Sequence, residues 1–173
     1  AYGASPRMRF DIVLNNLMGV AWTTGEIAMT SDGSPWRPLV HIQDICQAIL
    51  CALEAPSVSV AGEIFNVGAT EENYRIREIA DIVADTLSDC KVILGPSGGD
   101  NRSYRVNFDK IKDKLPGFEC RWTLRDGAEE LKSVFEQIQM QHETFDFRAF
   151  TRLKQLKYLT ETGQIDEHFF WRY

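Results

Sequence analysis

The stretch 33-GSPWRPLVHIQDICQAI-49 combines a turn, a strand pattern and a helix pattern. A glycine turn leads into RPLVHI, which is typical of a β-strand, and Pro38 indicates a strand that lies at a sheet edge or begins late. The helix pattern ICQAILCALEA follows and stops at Pro56, with Asp44 placed to cap its first turn. Arg37 stands where the turn meets the strand, so it is either an anion ligand or the polar edge of the strand.

The same mixture of helix and strand patterns continues along the chain. Residues 12–24 and 75–87 have helical spacing of apolar residues, as does LRDGAEELKSVFEQIQ from about Arg125, and DKIKDKL is a shorter helix that Pro116 ends. Four further segments have strand patterns: EIAMTS, GEIFNVG, KVILG and RSYRVNF. Helices that alternate with short strands predict an α/β (mixed α+β) architecture.

Composition excludes several classes of protein. A net charge of -6 over 173 residues argues against a general nucleic-acid binder. No apolar run approaches the roughly 18 residues of a membrane span, and AYGASPRMRF lacks the layout of a secretory signal, so we expect a cytoplasmic protein. The four cysteines are Cys46, Cys51, Cys90 and Cys120; none forms a CxxC pair, and they are interpreted as buried free thiols rather than metal ligands.

No motif of catalytic chemistry is assigned. The sequence contains no GxGxxG turn for a dinucleotide and no GxxxxGK[ST] loop for a nucleoside triphosphate. The acidic pairs Glu71-Glu72 and Glu129-Glu130 are interpreted as parts of solvated surfaces. We therefore predict neither a catalytic residue nor a metal ligand in this chain.

Two features are candidates for ligand binding. Arg37 and Arg102, the latter after the GGDN turn, lie in distant loops and suit a diphosphate clamp, although each also suits a surface salt bridge. Asn15 and Asn16 interrupt an apolar helix pattern. Asparagine is unfavourable inside helices, so these amides either face solvent at a bend or hold a ligand.

Four motifs in succession resemble a known family. YG-x-S-P-R at 2–7, NNL at 15–17, DG-x-x-x-R-x-x-V-H-I-x-D at 32–44 and FNVG at 65–68 resemble signatures of the extended short-chain dehydrogenase/reductases, the nucleotide-sugar epimerases and dehydratases. The spacing agrees from residue 2 to about residue 135. The resemblance implies an N-terminal Rossmann-type half, with NAD or NADP and a Tyr-x-x-x-Lys pair, and a smaller C-terminal part that binds the nucleotide sugar. This chain has no Tyr-x-x-x-Lys, so it resembles the C-terminal part, without the dinucleotide-binding half.

The resemblance also implies roles for individual residues. Arg37 matches an arginine that contacts the substrate diphosphate, and Arg102 matches a second one, for which Arg105 is an alternative. The same motifs imply roles for the remaining residues. Asn16 and Leu17 line the nucleotide site, Ala28 and Thr30 lie beside the base, Arg7 contacts the substrate, Tyr2 and Ser5 contact the cofactor, and His41 and Asp44 have structural roles.

The expected organisation follows from the same resemblance. Residues 1–142 form the substrate-binding part with FNVG as the last strand of the Rossmann-like sheet, and residues 143–173 form a C-terminal helical extension. We expect a nucleotide-sugar-binding portion of an NAD(P)-dependent epimerase or dehydratase that is inactive alone and binds no cofactor by itself; the alternative is a non-catalytic binding or assembly module. Without its neighbours the FNVG strand would leave an exposed edge and an apolar patch, which favours binding to the missing half or self-association.

Overall fold

The computed structural model describes residues 1–88, 90–97 and 102–172. Helices dominate, and each strand has only three residues. The helices and strands, in chain order, are α1 (Val13–Thr24), β1 (Glu26–Ala28), β2 (Trp36–Pro38), α2 (Ile42–Glu54), α3 (Ser57–Val60), β3 (Asn73–Arg75), α4 (Ile76–Leu87), β4 (Lys91–Ile93), α5 (Asp109–Lys114), α6 (Leu124–Gln137), α7 (His142–Asp146), a 3-10 turn (Arg148–Phe150) and α8 (Arg152–Glu161).

The strands form two small sheets. Strands β1 and β4 pair in parallel, with Ile27 opposite Val92. Strands β2 and β3 pair antiparallel, with Arg37 opposite Tyr74. A mixed α/β fold with a parallel sheet agrees with the sequence patterns, so the predicted fold class is confirmed.

Two predicted strands are wrong. Residues 63–68, which include FNVG, and residues 102–108, which include SYRVNF, form no strand in the structure. A strand needs a hydrogen-bonded neighbour. In the second segment, the side chain of Asn73 takes the place of one: its Nδ2 donates to the Val106 carbonyl (2.9 Å) and its Oδ1 accepts from the Val106 N–H (2.9 Å).

The main core lies between α1, α4 and α6. Apolar residues at helical spacing on each helix point into it, among them Leu14, Ile79 and Leu131, all fully buried. Helix α6 begins with a capping box, in which Thr123 and Asp126 satisfy each other's backbone N–H groups. A second apolar cluster packs α5 against α2 and is built from buried residues Ala48, Phe108, Ile111, Leu115 and Phe118.

Helix α2 begins earlier than the sequence pattern predicts. His41 is its N-cap, and its Nδ1 accepts a hydrogen bond from the Gln43 N–H at 3.3 Å. The prediction that Asp44 caps this helix is therefore wrong. Asp44 lies within the first turn and is buried, which leaves its carboxylate to bind another part of the chain.

The C-terminal segment contains α7, the 3-10 turn and α8 and packs against the loop before α1. The Phe10 N–H donates to the Phe150 carbonyl (2.9 Å), and the ring of Phe10 contacts Phe145 (5.0 Å between centroids) and Phe150 (5.6 Å). The Arg152 N–H also donates to the Asp11 carboxylate at 3.2 Å. These contacts join α7, the 3-10 turn and α8 to the start of the chain. Across the described residues, no helix is long and apolar enough to cross a membrane.

Candidate functional site

The two arginines singled out from the sequence meet in the structure. Strand β2 carries Arg37, whose Nη1 donates to the Trp36 carbonyl (2.8 Å) and, by a short hydrogen bond, to the carbonyl of Arg102. The segment that carries Arg102 is also tied to Trp36, whose backbone N–H donates to the side-chain oxygen Oγ of Ser103 at 3.1 Å. The GGDN turn itself, 98–101, lies outside the described residues. Two segments 65 residues apart thus converge at one edge of the β2–β3 sheet.

Aromatic rings arrange further arginines around this point. Two guanidinium groups lie over the Trp36 ring, that of Arg75 at 5.1 Å from the ring centroid and that of Arg105 at 4.7 Å. The guanidinium of Arg37 lies 5.5 Å from the centroid of Tyr104. A guanidinium that stacks by its face keeps its N–H donors at its edge, which is where a phosphate binds. Together, Arg37, Arg75, Arg102 and Arg105 form what we call the arginine cluster.

The paired asparagines have structural hydrogen bonds. Asn15 is buried; its Oδ1 accepts from the Gly3 N–H (3.1 Å) and its Nδ2 donates to the Gly3 carbonyl (3.3 Å). Asn16 is half-buried and its Nδ2 donates to the Phe10 carbonyl at 2.9 Å. Neither alternative from the sequence holds for Asn15, because this amide anchors the first loop to α1. The adjacent Leu17 packs against the main core, and ligand contact by Asn16 and Leu17 remains a prediction.

The residues expected beside a nucleotide base lie at the end of the parallel sheet. Ala28 closes β1 and Thr30 follows it, and both are exposed. Between them, the Met29 N–H donates to the Ile93 carbonyl at 2.9 Å. A Cβ at Gly95 would lie 2.4 Å from the Met29 carbonyl oxygen. The backbone segments around Met29 and Gly95 can therefore approach each other only because residue 95 is glycine. Their role at a base remains a prediction.

The first loop separates its three candidate residues. Tyr2 is buried at 2% exposure, its ring edge packs on His41 (5.2 Å) and a Cβ at Gly127 would lie 2.3 Å from it. Burial raises the pKa of Tyr2, and its hydroxyl has no hydrogen-bond partner in the described structure. Ser5 is half-buried and Arg7 is exposed. The side chain of Tyr2 is therefore part of the core in this structure.

A hydrogen bond between His41 and Glu130 that the sequence did not indicate lies beside Tyr2. His41 is fully buried, its ring stacks on Trp122 (3.9 Å between centroids), and its Nε2 lies 2.9 Å from the Glu130 carboxylate. Because Nδ1 accepts from a backbone N–H, the proton is on Nε2, which donates to Glu130. The same carboxylate accepts from the Ala4 N–H at 2.8 Å. The interpretation of Glu130 as a solvated surface residue is therefore wrong.

Two more carboxylates face inward. Glu72 is buried and accepts from the Tyr74 hydroxyl (3.1 Å) and from the Leu124 N–H (3.0 Å), so its interpretation as solvated is also wrong. Burial raises the pKa of Glu72. Asp44 accepts from Cys120 Sγ (3.1 Å) and from two backbone N–H groups, those of residues 121 (3.0 Å) and 122 (3.2 Å). Here Asp44, Glu72 and Glu130 are called the inward-facing carboxylates.

The cysteines show no reactive arrangement in the described residues. Burial, together with the hydrogen bond to Asp44, raises the pKa of Cys120 to about 12, so its thiol is protonated at neutral pH. All four thiols are free, as predicted. Cys46 is exposed on α2, so the prediction that it is buried is wrong, and Cys51, Cys90 and Cys120 are only half-buried.

The arginine cluster lies apart from a concavity of about 500 Å³ near the second core cluster. That concavity lies between the loop after residue 67 and α5, and Lys112 and Cys120 are among the residues that line it. None of the four clustered arginines contributes to it. Size alone therefore does not identify the candidate site; the convergence of arginines on aromatic rings does.

Comparison with known proteins relates part of the chain to a family. Residues 1–68, which contain all four motifs and Arg37, match the family model described as the NAD dependent epimerase/dehydratase family. The family resemblance of the sequence is confirmed. The Low-salt glycan biosynthesis protein Agl12 of Haloferax volcanii is 24% identical over 127 residues, which are 72% of this chain and 39% of that protein.

Solved structures of such epimerases share the fold. The UDP-glucuronic acid 4-epimerase of Bacillus cereus, in complex with UDP-glucuronic acid and NAD, superposes with a TM-score of 0.63 at 24% identity over 79% of this chain and 43% of its own. The UDP-glucose 4-epimerase of Thermotoga maritima, with UDP-glucose, gives a TM-score of 0.63 at 22% identity over 81% and 45%. The chain spans less than half the length of the relatives and structures it matches.

Proposed function

We propose that this chain is the nucleotide-sugar-binding portion of an NAD(P)-dependent epimerase or dehydratase and has no turnover by itself. The observation that carries the proposal is the contact of Arg37 with the backbone of Arg102 in a chain whose residues 1–68, which include Arg37, match the epimerase/dehydratase family model. The sequence contains no Tyr-x-x-x-Lys pair, so it supplies no group to take the sugar hydroxyl proton. What it supplies is binding energy that positions the sugar.

The diphosphate of the sugar nucleotide binds at the arginine cluster in this proposal. Arg37 and Arg102 are its main ligands, and Arg105 is the alternative to the second of these. A guanidinium fork matches two phosphate oxygens at once, and the aromatic faces of Trp36 and Tyr104 hold three of the forks in place. Asn16, Leu17, Ala28 and Thr30 then line the nucleoside.

The cofactor of the proposed enzyme is NAD or NADP, and the residues present here do not fit a whole dinucleotide. The sequence has no GxGxxG turn, and Tyr2, one of the two residues matched to the cofactor, has its ring in the core. Ser5 remains as a half-buried hydroxyl on the first loop. We therefore assign cofactor binding to the whole enzyme, whose dinucleotide-binding half forms the other wall of the cleft.

The outer face of α2 is a further part of the proposal. Ile49, Leu50 and Leu53 are 56%, 58% and 77% exposed on that helix, and Val58 and Ile64 nearby in sequence are 91% and 81% exposed. A helix with apolar residues turned outward indicates a face that another protein surface covers. We assign this face to the dinucleotide-binding half or, in its absence, to a second copy of the chain. The same exposed face is what favours the alternative of an assembly module.

The domain organisation belongs to the same proposal. Residues 1–142 form the substrate-binding part, and residues 143–173 form a helical extension. In support, the chain from His142 onward contains α7, the 3-10 turn and α8, and the main core is built from residues before it, with Phe145 and Phe150 packed on its outside.

Arg37→Ala tests the assignment directly. Loss of a charge-assisted hydrogen bond should weaken binding of UDP-glucose by about 1.5–3 kcal/mol in isothermal titration calorimetry. The matched control is Arg125→Ala, because Arg125 is exposed, pairs with Asp85 at 3.1 Å and lies outside the cluster. Equal affinity of wild type and Arg37→Ala would refute the diphosphate site. Titration with other UDP-, GDP- and dTDP-sugars then identifies the preferred base.

A further inference from the structure

A second group of arginines lies between the first loop and the C-terminal extension. A concavity of about 380 Å³ is formed there, and neither its walls nor its floor include a residue of the arginine cluster. Its volume is at the lower end of the range for small-molecule sites. The residues that line it include Pro6, Arg7, Phe147, Arg148, Phe150 and Gln155.

Half-buried Arg148 contacts two aromatic rings and has an Nε without a hydrogen-bond partner in the described structure. Its guanidinium lies 3.9 Å from the Tyr158 ring centroid and 5.1 Å from that of Phe147. Its Nε is buried and has no hydrogen-bond partner in the described structure. Buried donors are almost always paired in folded proteins, so an unpaired one indicates a missing acceptor. Stacking occupies the face of the guanidinium and leaves the donors at its edge to bind that acceptor.

The concavity is rich in donors and poor in acceptors. The lining residues Arg7, Arg148 and Gln155 have side chains with N–H donors, and no carboxylate among the described residues lines the site. The acidic residues of the surrounding segments are already engaged: Asp11 accepts two hydrogen bonds from the side chain of Arg9 (2.8 and 3.0 Å), and Asp146 is paired with Lys154. The local charge is therefore positive in a chain whose net charge is -6.

The walls of the concavity are fixed relative to each other. The loop that carries Arg7 continues to Phe10, which is hydrogen-bonded to Phe150 at 2.9 Å and packed against its ring. The start of α8 is tied to Asp11 through the Arg152 N–H. Two arginines from opposite ends of the chain are thus presented to one cavity by paired backbone segments, which reduces the entropic cost of binding.

We propose that this concavity is an anion site that takes a phosphate group carrying a small substituent. Arg7 and Arg148 bind the phosphate oxygens, Gln155 supplies a further donor, and the rings of Phe147 and Phe150 contact the substituent. The site shares no residue with the arginine cluster. Arg7, which the family resemblance matches to a substrate contact, is assigned to this second anion instead, so failure of this site would leave the proposed diphosphate site at Arg37 and Arg102 unaffected. Phosphate is favoured over a carboxylate because two guanidinium forks match a group with three terminal oxygens and up to two charges.

The Nε–H group of Arg148 can be observed by NMR and reports whether the anion site is occupied. In a ¹⁵N-labelled sample of this 19.7 kDa chain, the Nε–H cross-peak of Arg148 should shift on titration with inorganic phosphate at constant ionic strength, and glucose 1-phosphate should bind more tightly than phosphate. Arg7→Gln, a change of an exposed residue that leaves the fold intact, should weaken phosphate binding about tenfold. Arg148→Gln should remove the binding detected at neighbouring backbone amides.

Arg152→Gln is the control, because Arg152 lies on the same extension, is exposed and does not line the cavity. It should leave the titration unchanged. An Arg148 Nε–H peak that does not move with either ligand overturns the proposal, as does equal weakening by Arg7→Gln and Arg152→Gln, which would indicate a nonspecific charge effect. Phosphate shifts confined to the arginine cluster and abolished by Arg37→Ala would overturn it too, and would leave the diphosphate site intact.

Discussion

The inward-facing carboxylates and the arginine cluster differ in their surroundings as well as in their charge: the carboxylates accept hydrogen bonds within the fold, and the arginines lie at the surface. Asp44, Glu72 and Glu130 each accept at least two hydrogen bonds from groups that the fold brings to them, most of them backbone N–H groups. The clustered arginines are exposed or half-buried, and three of them lie against the faces of Trp36 and Tyr104. Buried carboxylates with several donors hold segments together, whereas stacked arginines at the surface are oriented for a ligand.

The contrast separates two measurable quantities. Loss of an inward-facing carboxylate leaves buried donors without acceptors, so it should lower the free energy of unfolding. Loss of an aromatic face or an arginine in the cluster exposes little and should lower ligand affinity instead. The comparison would fail if a carboxylate variant lowered ligand affinity without lowering stability, or if an arginine variant lowered stability without lowering ligand affinity.

Asp44→Ala should have the largest effect on stability. Asp44 is buried and is the acceptor for the Cys120 thiol and for the N–H groups of residues 121 and 122. The thiol and two part-buried backbone donors would lose their partner, so the free energy of unfolding should fall by about 3 kcal/mol. Urea denaturation followed by circular dichroism measures it. Asp113→Ala, at an exposed position of α5, is the control and should change stability by less than about 0.5 kcal/mol.

Glu130→Ala should follow, with a loss of about 2 kcal/mol, because His41 Nε2 and the Ala4 N–H both lose their acceptor. The adjacent Glu129 is exposed and offers a matched control in the same helix. Glu129→Ala should be nearly neutral in the same urea denaturation. If the two variants unfold at the same urea concentration, the pair with His41 makes no net contribution to stability.

These carboxylates also mark the limit of what the sequence could predict. The helices α1, α4 and α6 were recognisable because apolar spacing is a local property. The roles of Glu72 and Glu130 were not, because their partners Leu124 and His41 are 52 and 89 residues away. An acidic residue in a polar pattern looks solvated until the contact is known.

The two predicted strands failed for a related reason, whereas the role of the arginines as ligands stays a prediction. The FNVG segment has the composition of a strand, but a strand also needs a neighbour, and the described chain provides none there. Arg37 and Arg102 were predicted because the order of the motifs around them resembles a family, and the structure then brought their segments together. Arg148 carries no motif, and its unpaired Nε was visible only in the fold.

Trp36→Leu sharpens the comparison from the side of the arginines. The ring contacts the guanidinium groups of Arg75 and Arg105, and its loss removes two cation–π contacts that orient the cluster. Affinity for UDP-glucose in calorimetry should fall by about 1 kcal/mol. Stability should fall less than in Asp44→Ala. Trp36→Phe keeps an aromatic face and should recover most of the affinity; if it binds as weakly as the leucine variant, the ring acts by size rather than by stacking.

Glu72→Gln should have the smallest effect on the free energy of unfolding. The effect is a change in how that free energy depends on pH. Burial raises the pKa of Glu72 in the folded state above its ordinary value of 4.5. Below pH 4.5 the carboxyl is protonated in both states and its contribution to stability is fully present. As the pH rises, the unfolded chain ionises first, so the folded state loses stability until the raised folded pKa has been passed.

Glutamine cannot ionise, so the stability of Glu72→Gln relative to wild type should increase with pH across that window. Urea denaturation at a series of pH values from 4 upward measures the difference. Glu71→Gln, at the exposed neighbour, should give a constant difference over the same series. A relative stability of Glu72→Gln that falls as the pH rises would mean that the ionised carboxylate is stabilised by its hydrogen bonds to Tyr74 and Leu124 more than burial destabilises it.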